Sequence, residues 1–110
     1  MCGLTGYINR TGFEPDKSLE VINSMTSSLS HRGPDDLDVW TDSESGIALG
    51  HSRLSVIDLS PTGHQPMVSA NGRWTIVYNG EVYNTDEIRS DLDDHDISFR
   101  GTSDTEVILE

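Results

Sequence analysis

Cys2 is the single cysteine of the chain and stands directly behind Met1, so removal of the initiator methionine puts a thiol and a free α-amine on one residue. That pair can do nucleophilic chemistry. A thiolate attacks carbonyl carbon well, but only a small part of a free cysteine is ionised at neutral pH, so a base is needed. The α-amine titrates close to working pH and suits carrying a proton to and from the sulfur, directly or through one water. An N-terminal threonine with its own amine is the same device. Gly3 has no Cβ and lets backbone and substrate approach closely beside the thiol. Taken alone, Cys2 also fits an ordinary small thiol near a frayed terminus, the commoner fate of single cysteines.

The other residues with ligand chemistry are the four histidines, His31, His51, His64 and His95. No pair has the spacing of a zinc motif and Cys2 is the only thiol, so no metal site is expected. His31 with Arg32 reads as a helix C-terminal pair packing near the amino terminus, and His51 and His64 read as structural.

These residues need a scaffold. Leu4 to Ile8 reads as a strand that pins the terminus into a sheet. Leu19, Ile22, Met25 and Leu29 recur at helical spacing, in a helix that opens after Pro15 and Asp16 and stops before Gly33-Pro34. Val39 to Thr41 and Ile47 to Leu54 read as strands joined by the acidic turn Asp42 to Gly46, and a loop follows from Asp58 to Pro66. Asn71-Gly72 between Met67 to Ser69 and Arg73 to Tyr78 is a hairpin signal. Asn84 with Glu87 has the form of a capping box for a helix ending near Leu92, a brief strand is expected around Ile97 to Phe99, and Ser103 with Glu106 repeats the cap before Val107-Ile108-Leu109. The chain ends soon after that cap, and the sequence reads as cut inside an element.

A length of 110 residues gives one domain at most, with a modest core. Nineteen acidic against seven basic residues give a net charge of -12, which repels nucleic acid and anionic membranes. The same excess suits either a protein hydrated in concentrated salt or an ordinary acidic surface; equal stability and activity in dilute and molar KCl would count against the first. One cysteine excludes an intramolecular disulfide, no leader or membrane-spanning run is present, and a cytoplasmic location is expected.

Several separated pieces agree with one family. Met1-Cys2-Gly3-Leu4 with Gly6, His31-Arg32-Gly33-Pro34-Asp35, His51 to Asp58 with Gly63-His64-Gln65-Pro66-Met67, Tyr78-Asn79-Gly80-Glu81-Val82-Tyr83-Asn84, and Thr102 to Glu106 stand in the order found in class-II glutamine amidotransferases. The chain resembles the asparagine synthetase branch most. The resemblance implies an α+β, N-terminal-nucleophile hydrolase fold, an αββα sandwich with two antiparallel sheets between helical layers, of which residues 1–110 would be the N-terminal part. It implies hydrolysis of the glutamine side-chain amide to glutamate and ammonia.

Under that resemblance Cys2 attacks the amide carbon, while Asn79, through its side-chain amide, and Gly80, through its N–H, stabilise the oxyanion. Arg53 pairs with the substrate α-carboxylate, and Asp104 holds the α-ammonium, aided by Glu81 and by backbone groups of Leu54, Ser55, Val56 and Ile57. Read without the family, Asn79-Gly80 is a second tight turn, Arg53 a solvated strand residue and Asp104 a first-turn carboxylate favoured by the helix dipole.

No phosphate-cradling glycine loop is present, so no cofactor is expected in this segment; ATP and magnesium are expected only in a missing synthetase domain, and a synthetase domain or partner chain is the expected partner besides glutamine. Two other readings compete with an asparagine-synthetase-like glutaminase. One is a non-catalytic fragment or interaction module that keeps the motifs, and the other is a glutaminase serving purine, aminosugar or glutamate synthesis.

Overall fold

The computed structural model describes residues 2–55 and 60–110. Val56 and Ile57, both expected at the substrate, lie outside the described residues. The chain is α+β with antiparallel pairing throughout. Its first sheet has the order β1 (Gly3–Ile8), β3 (Ile47–Arg53), β2 (Asp36–Asp42), with the longest strand contact running unbroken from Asp36 opposite Arg53 to Asp42 opposite Ile47. The expected acidic turn joins β2 to β3, and Asp42 accepts the Ser45 N–H at 3.1 Å.

Side chains alternate between the two faces of a strand, so the register sorts this sheet into rows. Thr5, Gly50 and Val39 share one row with Tyr7, Ala48 and Thr41 beside it, and α1 (Pro15–Ser27) packs over that face. Ile22 and Ala48 are fully buried there. The helix starts with Pro15 in its first turn, where a missing N–H costs nothing. It ends earlier than the spacing of Leu29 suggests. Ser28 donates its hydroxyl to the Met25 carbonyl at 2.7 Å, and Leu29, Ser30 and Arg32 bond three residues back rather than four. Serine hydroxyls compete for helix carbonyls in this way, and the chain leaves the helix as tight turns.

Residues 60–78 cross the opposite face of the sheet, where the rows are Leu4, His51 and Asp38, then Arg53 and Asp36. The hairpin there is shorter than the Asn-Gly signal suggests. Gly72 takes the left-handed conformation at φ 71°, but only β4 (Met67–Val68) and β5 (Thr75–Ile76) pair. Beyond Ile76 the backbone groups of Tyr78 are taken by side chains: Gln65 Oε1 accepts its N–H at 2.7 Å and His51 Nε2 lies 3.3 Å from its carbonyl.

Two helices follow, α2 (Thr85–Asp93) and α3 (Asp104–Leu109), with α3 against both β4 and β5 and α2 against α3. The expected capping box at Asn84 does not form; Asn84 sits at φ -110°, ψ 38° and makes no side-chain cap bond. Ser103 does cap α3 by accepting the Thr105 N–H at 3.2 Å. Its expected partner Glu106 reaches further back, and its fully buried carboxylate accepts the N–H groups of Arg100 at 2.7 Å and Gly101 at 3.0 Å. The strand expected at residues 97–99 finds no ladder, and the Ile97 N–H turns back to the Leu92 carbonyl at 3.4 Å. Among the described residues no helix is long and apolar enough to cross a membrane.

Candidate active site

Cys2 extends β1 by one residue, and the register carries it beside Arg53 at the end of β3. Its sulfur accepts the Leu54 N–H at 3.2 Å and lies 3.5 Å from the Leu54 carbonyl, half-buried. Arg32 Nε donates to the Cys2 carbonyl at 3.4 Å, so the tight turns after α1 grip the amino terminus directly.

The loop between α1 and β2 is fitted to the same corner. A Cβ on Gly33 would stand 2.5 Å from both the Arg53 carbonyl carbon and the Ser52 oxygen, so only glycine lets the loop lie on the end of β3. Ser52 Oγ donates to the Gly33 carbonyl at 2.6 Å, the Asp35 N–H donates to the Arg53 carbonyl at 3.0 Å, and the Ser55 N–H donates to Asp35 at 2.8 Å. Cys2, Arg53, Leu54 and Ser55 therefore form one backbone-anchored group.

Arg53 and Ser55 open onto a cavity of about 320 Å³, lined also by Asp35, Asp36, Ser60, Pro61 and His64. Arg53 Nη1 donates to the Ser60 carbonyl at 2.9 Å. Cys2, Asn79, Gly80, Glu81 and Asp104 do not line that cavity. At its rim His64 is bracketed by two carboxylates, Nδ1 bonded to Asp36 and Nε2 to Asp38, the latter at 2.7 Å. Burial opposes the charged ring, but the hydrogen bonds and the attraction of both aspartates outweigh it and raise the pKa of His64 above the ordinary imidazole value. His51 goes the other way. Burial pushes it down, opposed by the Tyr78 carbonyl and Asp36 and reinforced by the charges of Arg53 and His64. Among the described residues its buried Nδ1 has no partner, which fits a neutral ring donating from Nε2 to the Tyr78 carbonyl.

Asn79, Gly80 and Glu81 are exposed and make no hydrogen bond to Cys2 among the described residues. They follow Tyr78, whose phenol ring lies over Gly80: a Cβ at Gly80 would stand 2.5 Å from the Tyr78 hydroxyl. At the far end of the segment the Val82 N–H donates to Asp104 Oδ2 at 2.9 Å, with Asp104 buried at the start of α3. Among the described residues no group of acidic, histidine or cysteine side chains could hold a metal ion. His51, Gln65 and Thr105 carry no assigned chemistry in the sequence, yet they hold this segment. The signal was the Gly63-His64-Gln65-Pro66-Met67 piece, which the spacing of charges alone does not explain.

The Cys2 thiol is docked on a strand end with Arg53 beside it. The chain belongs to the glutamine amidotransferase domain family, which it matches over residues 1–110. It is 42% identical over 112 residues to an asparagine synthetase (glutamine-hydrolysing) 3 of Bacillus subtilis, covering 99% of this chain and 17% of that protein. A putative asparagine synthetase (glutamine-hydrolysing) 2 of Methanocaldococcus jannaschii is 38% identical over 125 residues, covering 99% of this chain and 23% of the relative. Amidase chry2 of Gibberella zeae is 36% identical over 117 residues, covering 99% and 17%. The chain thus spans less than a quarter of the length of these relatives.

Proposed function

We propose that these residues carry the glutaminase step of an amidotransferase, hydrolysing the glutamine side-chain amide to glutamate and ammonia for an asparagine-synthetase-like amidation of aspartate. The observation that carries this reading is the seat of the Cys2 sulfur on the Leu54 N–H beside Arg53. With Met1 removed, the thiolate attacks the amide carbon and the α-amine delivers the proton that leaves with ammonia. Water then hydrolyses the thioester. Asn79 and Gly80 supply the donors for the oxyanion, Arg53 the partner of the α-carboxylate, and Asp104 with Glu81 and the backbone at residues 54–57 the partners of the α-ammonium.

The layer order supports the αββα reading. The helix α1 packs on the sheet β1-β3-β2, and α3, with α2 against it, packs on the ladder β4-β5. The greater length of the relatives supports an ATP-dependent synthetase domain that consumes the ammonia.

Ammonia release from glutamine by the full chain, with removal of Met1 verified, tests the step. The parent is expected to be active, and Cys2→Ala and a form retaining Met1 inactive. Equal release by parent and Cys2→Ala, or none from a folded parent, refutes it and favours a non-catalytic module. A different acceptor is a second reading, favoured by the relative named an amidase. Formation of asparagine from aspartate, ATP and glutamine separates the two.

A further inference from the structure

The segment bearing Asn79 and Gly80 and the helix bearing Asp104 meet at one buried side chain. Gln65 is 6% exposed; its Oε1 accepts the Tyr78 N–H at 2.7 Å and its Nε2 donates to Thr105 Oγ1 at 3.1 Å. Tyr78 immediately precedes Asn79, and Thr105 immediately follows Asp104. A primary amide offers an acceptor and donors in one neutral group, which neither an ionised carboxylate nor an ammonium does. Inside the protein each of these bonds is expensive to leave unmade, so the amide holds both neighbours at a fixed separation.

The rest of the segment has little else to fix it. The ladder ends at Ile76, the His51 ring meets the Tyr78 carbonyl at 3.3 Å, and the next tie is Val82 to Asp104 at 2.9 Å. Asn79 to Glu81 thus hang between two points, and Gln65 joins the first of them to the helix that provides the second.

We propose that Gln65 is a positioning residue of the glutamine site, setting the separation between the oxyanion donors of Asn79 and Gly80 and the ammonium-binding carboxylate of Asp104. The role rests on the glutaminase reading above. Its two bonds have separable consequences: the Tyr78 bond places the donors that act in the transition state, and the Thr105 bond places a group that acts on substrate binding.

The test compares parent, Thr105→Val and Gln65→Met in the full chain with Met1 removed. Ammonia release is normalised to the folded fraction, and alkylation of Cys2 by iodoacetamide is followed in parallel. Thr105→Val is expected to raise the glutamine KM with little change in kcat, because only the Asp104 end loosens. Gln65→Met is expected to raise KM and also lower kcat at least about tenfold, part of the roughly 10²–10³ that loss of one oxyanion donor costs. Alkylation rates stay at the parent value in both. Gln65→Met with the KM and kcat of the parent overturns the role, as does a loss of activity and alkylation together in proportion to unfolding. Should Gln65→Met not fold, Thr105→Val with an unchanged KM overturns it. A folded parent that releases no ammonia refutes the glutaminase reading itself and this role with it, whereas an active parent with indifferent variants refutes the role alone.

Discussion

Cys2 and Arg53 stand at the end of a sheet whose register runs without a break from Gly3 opposite Ser52 to Ile8 opposite Ile47, whereas Asn79 and Gly80 follow a ladder that stops at Ile76. On the first side, strand pairing sets the positions and the side chains of Arg32, Asp35 and Ser52 only tie the corner down. On the second, three side chains set the positions: His51 and Gln65 at Tyr78, and Asp104 at Val82. A nucleophile needs a fixed origin, and strand pairing supplies it cooperatively. The proposed oxyanion donors are aimed by hydrogen bonds that single substitutions can remove, so the two sides should fail differently.

The sharpest separation is expected from Asn79→Ala. The side chain is exposed and bears on none of the bonds that hold Tyr78, so stability should move by no more than about 0.5 kcal/mol. Loss of an oxyanion donor should nonetheless lower kcat about 10²–10³-fold, with Cys2 alkylation unchanged. A change in unfolding midpoint as large as the catalytic loss would show that Asn79 also holds the fold, and the contrast between the sides would go.

Gly33→Ala attacks the other side. The new Cβ would stand 2.5 Å from backbone atoms of Ser52 and Arg53, which have no rotamer to escape into. Overpacking of this kind costs about 1–3 kcal/mol, read as a lower urea midpoint. Because the loop and the end of β3 move together, the glutamine KM should rise as well. A variant with the parent's midpoint would mean that the corner is softer than its bonds suggest.

The same contrast explains what could be read from the chain in advance. β1, β2, β3 and α1 announce themselves because period-two and period-3.6 patterns reflect the face each element buries. Cys2 and Arg53 are carried to one corner by that regular pairing, and the loop bearing Gly33 lies against it. The strand expected at residues 97–99 has the right residue types, but the Ile97 N–H turns back to the Leu92 carbonyl and the N–H groups just past the segment, of Arg100 and Gly101, go to Glu106, a partner that local pattern does not reveal. Gln65 was visible within a motif, but its partners lie 13 and 40 residues away, and that distance is tertiary information. Regular backbone pairing is written locally, while side-chain ties across loops are not.

The two histidines on the open face give the smallest effect and the finest test. His64, facing Asp36 and Asp38 with Asp35 and Arg53 beside it, has a raised pKa, so its stabilising charge is fully present below the ordinary value of 6.5 and is lost as pH rises through the folded-state value. His51, facing the Tyr78 carbonyl with Asp36, Arg53 and His64 nearby, has a lowered pKa. The unfolded chain takes up its proton first, so stability on that account falls as pH drops below 6.5 toward the folded-state value. Alkali thus loosens the rim of the Arg53 cavity and acid loosens the seat of Tyr78. Comparing denaturant midpoints of parent and His64→Gln from pH 6 to 9 isolates the first limb. The difference should shrink as pH rises and amount to no more than about 1 kcal/mol, since the ring is 39% exposed and water screens the pair. A difference that is constant with pH would mean that His64 acts by packing rather than by its charge.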